Sequence, residues 1–358
     1  MREHAPPKTF FTYLDAMRGI AALLVMARHV GFFPGLGFAE SYLAVDLFFL
    51  LSGVVIANAY ETRLQTGAMS AMRFMRLRIV RIFPLYLLGS ALTLGAWLAG
   101  DADTPQALPW LVVLACLMLP SLATPQPFPL NHPAWSLFFE LLANLVYALG
   151  LGRLGTRGLL AAVALAALAV TALLVAGSTH NLDVGWSQAN FAAGLVRVGF
   201  SFFAGVLLFR LHRGRRARAP ALGGRTGAKP AHGWLYVALV TALLTAHPSG
   251  VWQPWFDGVA VLAVLPWLVY RALWCEPGAR AARLARWLGA VSYPLYALHA
   301  PLSEWVHQAL AYCDDAPSRA ALGWIGLAFV AVLLPLCAWL NRYFDAPARR
   351  LLLARALR

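Results

Sequence analysis

The sequence predicts an all-α protein, a polytopic transmembrane bundle of about ten spanning helices with one further short segment that is re-entrant or interfacial. Three observations carry that expectation. Hydrophobic residues make up 60% of the 358 positions and charged residues only 12%, too little for the surface of a soluble domain of this length. The apolar residues recur in runs near the length of a bilayer-crossing helix, not in the short alternating segments of a transmembrane barrel. The net charge of +14 is gathered in the gaps between those runs, where it sets topology. In a soluble chain the same excess would suggest nucleic acid; here no nucleic-acid partner is expected.

Residues 1–13 carry Arg2 and Lys8, which places the N-terminus in the cytoplasm. The first span, 14–33, then runs outward, and the loop 34–42 has no Lys or Arg. The second span, 43–60, holds Asp46 near its outer end and Ser52-Gly53 in its middle. A basic loop with Arg63, Arg73, Arg76, Arg78 and Arg81 leads into the third span, 82–100. The segment 108–122 is apolar for about 15 residues, against the roughly 20 a crossing needs. Were it to cross, Arg153, Arg157 and the run Arg210 to Lys229 would face outside, so the positive-inside bias makes it a dip or an interfacial helix. The remaining spans are 134–151, 158–177, 190–211, 233–248, 252–271, 287–310 and 321–342, with both termini cytoplasmic and only Arg319 on the opposite side. The first span is too long and too interrupted for a signal peptide, and Cys116, Cys275, Cys313 and Cys337 have no metal or disulfide spacing. The expectation is a single integral-membrane domain over residues 1–358 with no fused soluble domain.

Ionisable residues inside spans are costly to bury and mark functional candidates. Arg18 and His29 stand eleven residues apart in the first span, which closes about three turns and puts both on one face, roughly 16 Å apart. His29, Asp46 and Glu140 fall in the outer halves of three spans and could share a layer. Arg18, Arg76, Arg78 and Arg81 lie toward the inner side. A histidine beside a carboxylate can take the proton of a hydroxyl, and clustered arginines suit phosphate oxygens. A donor with a phosphate-rich head and a long thin arm fits between them, as an acyl-CoA thioester would. Plainer readings stand beside this one. The arginines from Arg73 to Arg81 could be snorkelling anchors, and His29 a packing residue. Asp46 and Glu140 could relay protons in a secondary transporter or flippase, or the chain could be a silent scaffold. Most other histidines, His132 among them, are expected to be structural or solvated, and His299 is a weaker candidate.

Five motifs, taken together, resemble the membrane-bound acyltransferase 3 family of ten-helix, mostly bacterial inner-membrane enzymes. They are Asp15, Arg18, Gly19 and His29; Val45-Asp46-Leu47-Phe48-Phe49-Leu50-Leu51-Ser52-Gly53; the arginine-rich entry Arg76 to Pro84; Trp135-Ser136-Leu137 with Glu140; and Gly289, Ser292-Tyr293, Tyr296, His299 and Pro301. Departures are Ala16 for the usual Gly, Phe138 for Ser, Ala143-Asn144 for an aromatic pair, and Asp345-Ala346-Pro347 where Glu-x-Pro is usual. The resemblance implies transfer of an acyl group, usually acetyl, from acyl-CoA as co-substrate to a hydroxyl of a glycan, lipid-linked sugar or glycoside. It implies His29 as the essential base, Arg18 beside the donor channel, Arg76 and Arg78 on the donor phosphates, and Glu140 assisting. With Arg81 added to the phosphate set and Asp46 or Glu140 orienting His29, this is the expected mechanism.

Overall fold

The computed structural model describes residues 11–36, 38–100, 107–218, 232–313 and 315–356, and among these residues there is no strand. The helices are α1 (Thr12–His29), α2 (Ala44–Gln65), α3 (Ala71–Ala99), α4 (Leu108–Leu117), α5 (Ala134–Leu149), α6 (Thr156–Ala176) and α7 (Ala193–Arg218). They continue as α8 (Gly233–Leu244), α9 (Gln253–Val259), α10 (Leu265–Ala272), α11 (Ala279–Ala311), α12 (Arg319–Leu340) and α13 (Ala346–Ala356). A π-helical turn joins α9 to α10, and another, Asn341–Asp345, joins α12 to α13. Among the described residues, six helical stretches are long and apolar enough to cross a membrane: 40–65, 71–99, 156–176, 193–218, 250–272 and 319–354. The chain is therefore a multi-pass membrane protein.

Several expected boundaries move. The expected first span, 14–33, ends early: α1 stops at His29, so the imidazole stands on the last residue of the helix. The helix expected over 233–248 is the 12-residue α8, about 18 Å long and shorter than the hydrocarbon core. Pro248 ahead favours extended backbone at the residue before it. The basic stretch from Arg73 to Arg81 is helix, not loop. Ser70 caps α3 by accepting from the Arg73 amide at 3.2 Å, and no Gly or Pro interrupts the turns that follow until Pro84. Arg78 and Arg81 are then three apart and share a face, while Arg76, two residues from Arg78, points elsewhere.

Two close helix pairs set the frame. The longest run is α1 along α11, where a Cβ on Gly289 would lie 2.6 Å from the Cβ of Asp15. The other is α2 along α7. A Cβ on Gly53 would strike the Phe202 carbonyl oxygen, and one on Gly205 would strike that of Leu50. Small residues let backbones approach in this way, which is how helices associate where lipid removes the hydrophobic drive. Buried ion pairs tie the same elements together. Arg210 on α7 donates to Glu61 on α2 at 2.7 Å, with the Glu61 side chain fully buried.

Candidate active site

The face of α1 that carries Arg18 and His29 looks onto two cavities. The first, about 180 Å³, is lined by Arg18, Ser52, Arg78, Arg81, Glu140 and Tyr293, among others. The second, about 300 Å³, is lined by His29, His132, Trp135, Asp183 and Arg197. Tyr296 of α11 lines both. Its hydroxyl is 2.7 Å from that of Ser136 on α5, and both hydroxyls lie 3.2 Å from the Pro133 carbonyl oxygen. One pair of hydroxyls therefore stands between the arginine cavity and the histidine chamber.

In the arginine cavity the cations are held by named carboxylates. Arg78 Nη2 donates to Glu140 Oε1 at 2.7 Å, and the Ser52 hydroxyl donates to the same oxygen at 2.6 Å. Arg18 Nη1 lies 3.5 Å from Oδ1 of Asp15, one turn earlier on α1. Arg81 Nη1 reaches Asp345 Oδ2 at 3.3 Å, and the Arg81 Cζ sits 5.0 Å from the Tyr293 ring centre. Tyr293 in turn donates its hydroxyl to the Ile82 carbonyl. Arg76 lies exposed and lines neither cavity. Of the four arginines expected here, the structure gathers Arg18, Arg78 and Arg81.

In the histidine chamber, His29 Nδ1 is 2.7 Å from the Val25 carbonyl oxygen. A carbonyl only accepts, so Nδ1 carries the hydrogen and Nε2 keeps its lone pair. His299 repeats the arrangement on α11: its Nδ1 is 3.0 Å from the Leu295 carbonyl, and its Nε2 is buried without a hydrogen-bond partner. His132, in the turn before α5, also has a buried Nε2 without a partner. The His299 and His132 ring centres are 5.5 and 6.1 Å from that of His29. Burial, and then the neighbouring His29, push the His132 imidazole down to about 4, so it is neutral near pH 7. Among the described residues no group of three His, Cys, Asp or Glu has the geometry to hold a metal ion.

The expected carboxylate partner of His29 is corrected on both counts. Asp46 is buried against Arg197, whose Nη2 donates to Oδ2 at 2.6 Å, and Ser201 donates to Oδ1 at 3.2 Å. Glu140 belongs to the arginine cavity and is committed to Arg78 and Ser52. Neither hydrogen-bonds His29, because each meets its own cation or hydroxyl first and the Val25 carbonyl already occupies Nδ1. The carboxylate that does line the chamber is Asp183, held 2.6 Å from Arg28 Nη2. Its segment is pinned on both sides. The Leu182 amide donates to Asp257 Oδ2 at 2.7 Å, and Arg197 Nη1 donates to the Val184 carbonyl at 2.8 Å. Arg28, Tyr42 and Asp183 also line a third, open cavity of about 750 Å³ on the far side.

Arg197 escaped sequence reasoning although the signal was present: it is an arginine set within an apolar span, the same mark that singled out Arg18. Asp183 carried no such mark, since it falls in a polar connection whose fold alone brings it to α1.

The model of a family described as an acyltransferase domain matches residues 11–341. A protein of Rhizobium radiobacter known as "Protein 2 in picA locus" is 39% identical over 165 residues, covering 40% of this chain and 83% of that protein. No solved structure matches the chain.

Proposed function

The chain belongs to this acyltransferase family, and from that membership and the cavity geometry we propose that it is a membrane O-acyltransferase taking its acyl group from acyl-CoA. The observation that carries the reading is the paired arrangement on α1. An arginine-lined cavity at the Arg18 end and a histidine with a free Nε2 at the other meet at Tyr296. The donor's phosphates rest at the mouth of the first cavity against Arg78 and Arg81, and its arm runs past Arg18 toward Tyr296. The acceptor, a glycan, lipid-linked sugar or glycoside hydroxyl, enters by the open third cavity and passes the Arg28–Asp183 pair.

His29 then acts as general base. Its Nε2 takes the hydroxyl proton as the acceptor oxygen attacks the thioester carbonyl. The carbon–sulfur bond breaks, and the departing sulfur receives that proton to leave as the CoA thiol. Glu140 holds Arg78 in place, and Asp46 holds Arg197 as part of the chamber wall. The resting orientation of His29 comes from the Val25 carbonyl. Acetyl is the expected group, the ten-span count with cytoplasmic termini the expected topology, and the bacterial inner membrane the expected site. A proton-coupled transporter would use Asp46 and Glu140 as relay groups, whereas each is bound to an arginine.

The test is transfer of label. Purified protein in nanodiscs with acetyl-CoA labelled on the acetyl group and a panel of glycoside acceptors is expected to give an ester-linked labelled product with equimolar CoA. Uptake of a solute without CoA release would contradict the reading.

A further inference from the structure

Charge is not evenly settled around the arginine cavity. Arg18 and Arg78 each face a carboxylate of their own, Asp15 and Glu140. Arg81 does not. It shares Asp345 with Arg349 of α13, whose Nη2 lies 2.9 Å from the same Oδ2 that Arg81 Nη1 approaches at 3.3 Å. Two guanidiniums on one carboxylate leave one positive charge in excess, and both side chains remain partly exposed while that of Asp345 is fully buried. The backbone is shaped to make this contact. Asp345 closes the π-helical turn Asn341–Asp345, the kind of irregular turn that often accompanies a functional site. That turn leads into α13, which packs against α3. Arg349 is further fixed by its Nε, which donates to the Asp345 carbonyl at 3.3 Å.

We propose that Arg349 joins Arg81 in a phosphate subsite at the mouth of the donor cavity, with Asp345 as the positioning residue that holds both guanidiniums. This rests on the acyl-CoA reading above. A phosphate takes two such forks readily, since each offers paired charge-assisted hydrogen bonds in fixed geometry. A phospholipid headgroup has the same chemistry. The donor is favoured because Arg81 also lines the cavity that Arg18 and Arg78 line.

The experiment compares two donors, acetyl-CoA and phosphate-free acetyl-pantetheine, on the full chain in nanodiscs of zwitterionic lipid and again in nanodiscs containing anionic lipid. Arg349→Gln is expected to raise KM for acetyl-CoA by about tenfold, the scale of one charge-assisted hydrogen bond. KM for acetyl-pantetheine stays where it was, and Arg349→Lys recovers part of the loss. Asp345→Asn is expected to move KM for acetyl-CoA in the same direction; should it fail to fold, Arg349→Gln still decides. An unchanged KM for acetyl-CoA overturns the subsite. So does an equal rise for both donors, which would mark a structural role, and so does an effect seen only with anionic lipid, which would assign the pair to a headgroup. Wild-type protein that consumes neither donor would instead overturn the acyl-CoA reading, and the subsite with it.

Discussion

Val25 and His29 are joined by a hydrogen bond of 2.7 Å in which the imidazole Nδ1 donates to a carbonyl one turn earlier on the same helix. This bond sets the tautomer that an acid/base histidine needs, with Nε2 as the acceptor. It does so with backbone, in the place where a carboxylate was expected. No substitution at Asp46 or Glu140 removes it directly.

Asp46 should therefore reveal itself in stability. Asp46→Asn leaves the Arg197 guanidinium buried with its charge uncompensated, a loss of about 3–5 kcal/mol. Thermal unfolding in detergent checks it. An Asp46→Asn protein as stable as wild type but catalytically dead would show that Asp46 acts on the chemistry instead.

The contact between α2 and α7 leaves no room for a side chain. Gly53→Val and Gly205→Val each place a Cβ against a backbone carbonyl that cannot yield, whereas Gly199 on α7 has nothing within 4 Å of an added Cβ. The expected outcome is loss of monodisperse protein on size-exclusion chromatography for the first two and a normal yield for Gly199→Ala.

His132 gives a pH signature. Its pKa is pushed down to about 4 from an unfolded value of about 6.5, so between those values the unfolded chain binds more protons. Stability contributed by the neutral buried ring is thus present above about pH 6.5 and lost as pH falls toward 4. His132→Asn removes that part of the dependence. Melting temperatures across pH 7 to about 4.5 should fall less steeply in the variant than in wild type. Parallel curves would show that His132 does not carry the effect.

The all-helical, multi-pass character of the chain could be read directly. Apolar runs announce helices, and charge counts announce a membrane. The first-span pair Arg18 and His29 is visible as costly residues at helical spacing, and Arg78 and Arg81 as part of a basic cluster at the inner side. What misled was proximity across the bundle. Asp46 and Glu140 sit at suitable depths, but depth says nothing about azimuth, and α7 brings Arg197 against Asp46 before His29 can meet it. The resemblance pairs Arg76 with Arg78, whereas the Ser70 cap makes the stretch helical and turns the two apart. His132 and Asp183 enter the chamber, and His299 comes against the His29 ring, through long-range packing that helical spacing alone does not encode.

The Arg28–Asp183 pair stands between the histidine chamber and the open third cavity. In Arg28→Gln and Asp183→Asn, water should reach the thioester more freely, so a larger share of acetyl-CoA is hydrolysed to acetate and a smaller share transferred. Measuring acetate against esterified product per CoA released checks this. An unaltered partition in both variants would show that the pair does not separate the two spaces.

The most direct test of the central claim is the rate of acetyl transfer by purified His29→Gln beside wild type, both shown to be folded by their melting curves. A loss of roughly 10²–10⁴-fold with acetyl-CoA binding retained is the result predicted for a general base. Full activity in a folded His29→Gln protein would contradict the account.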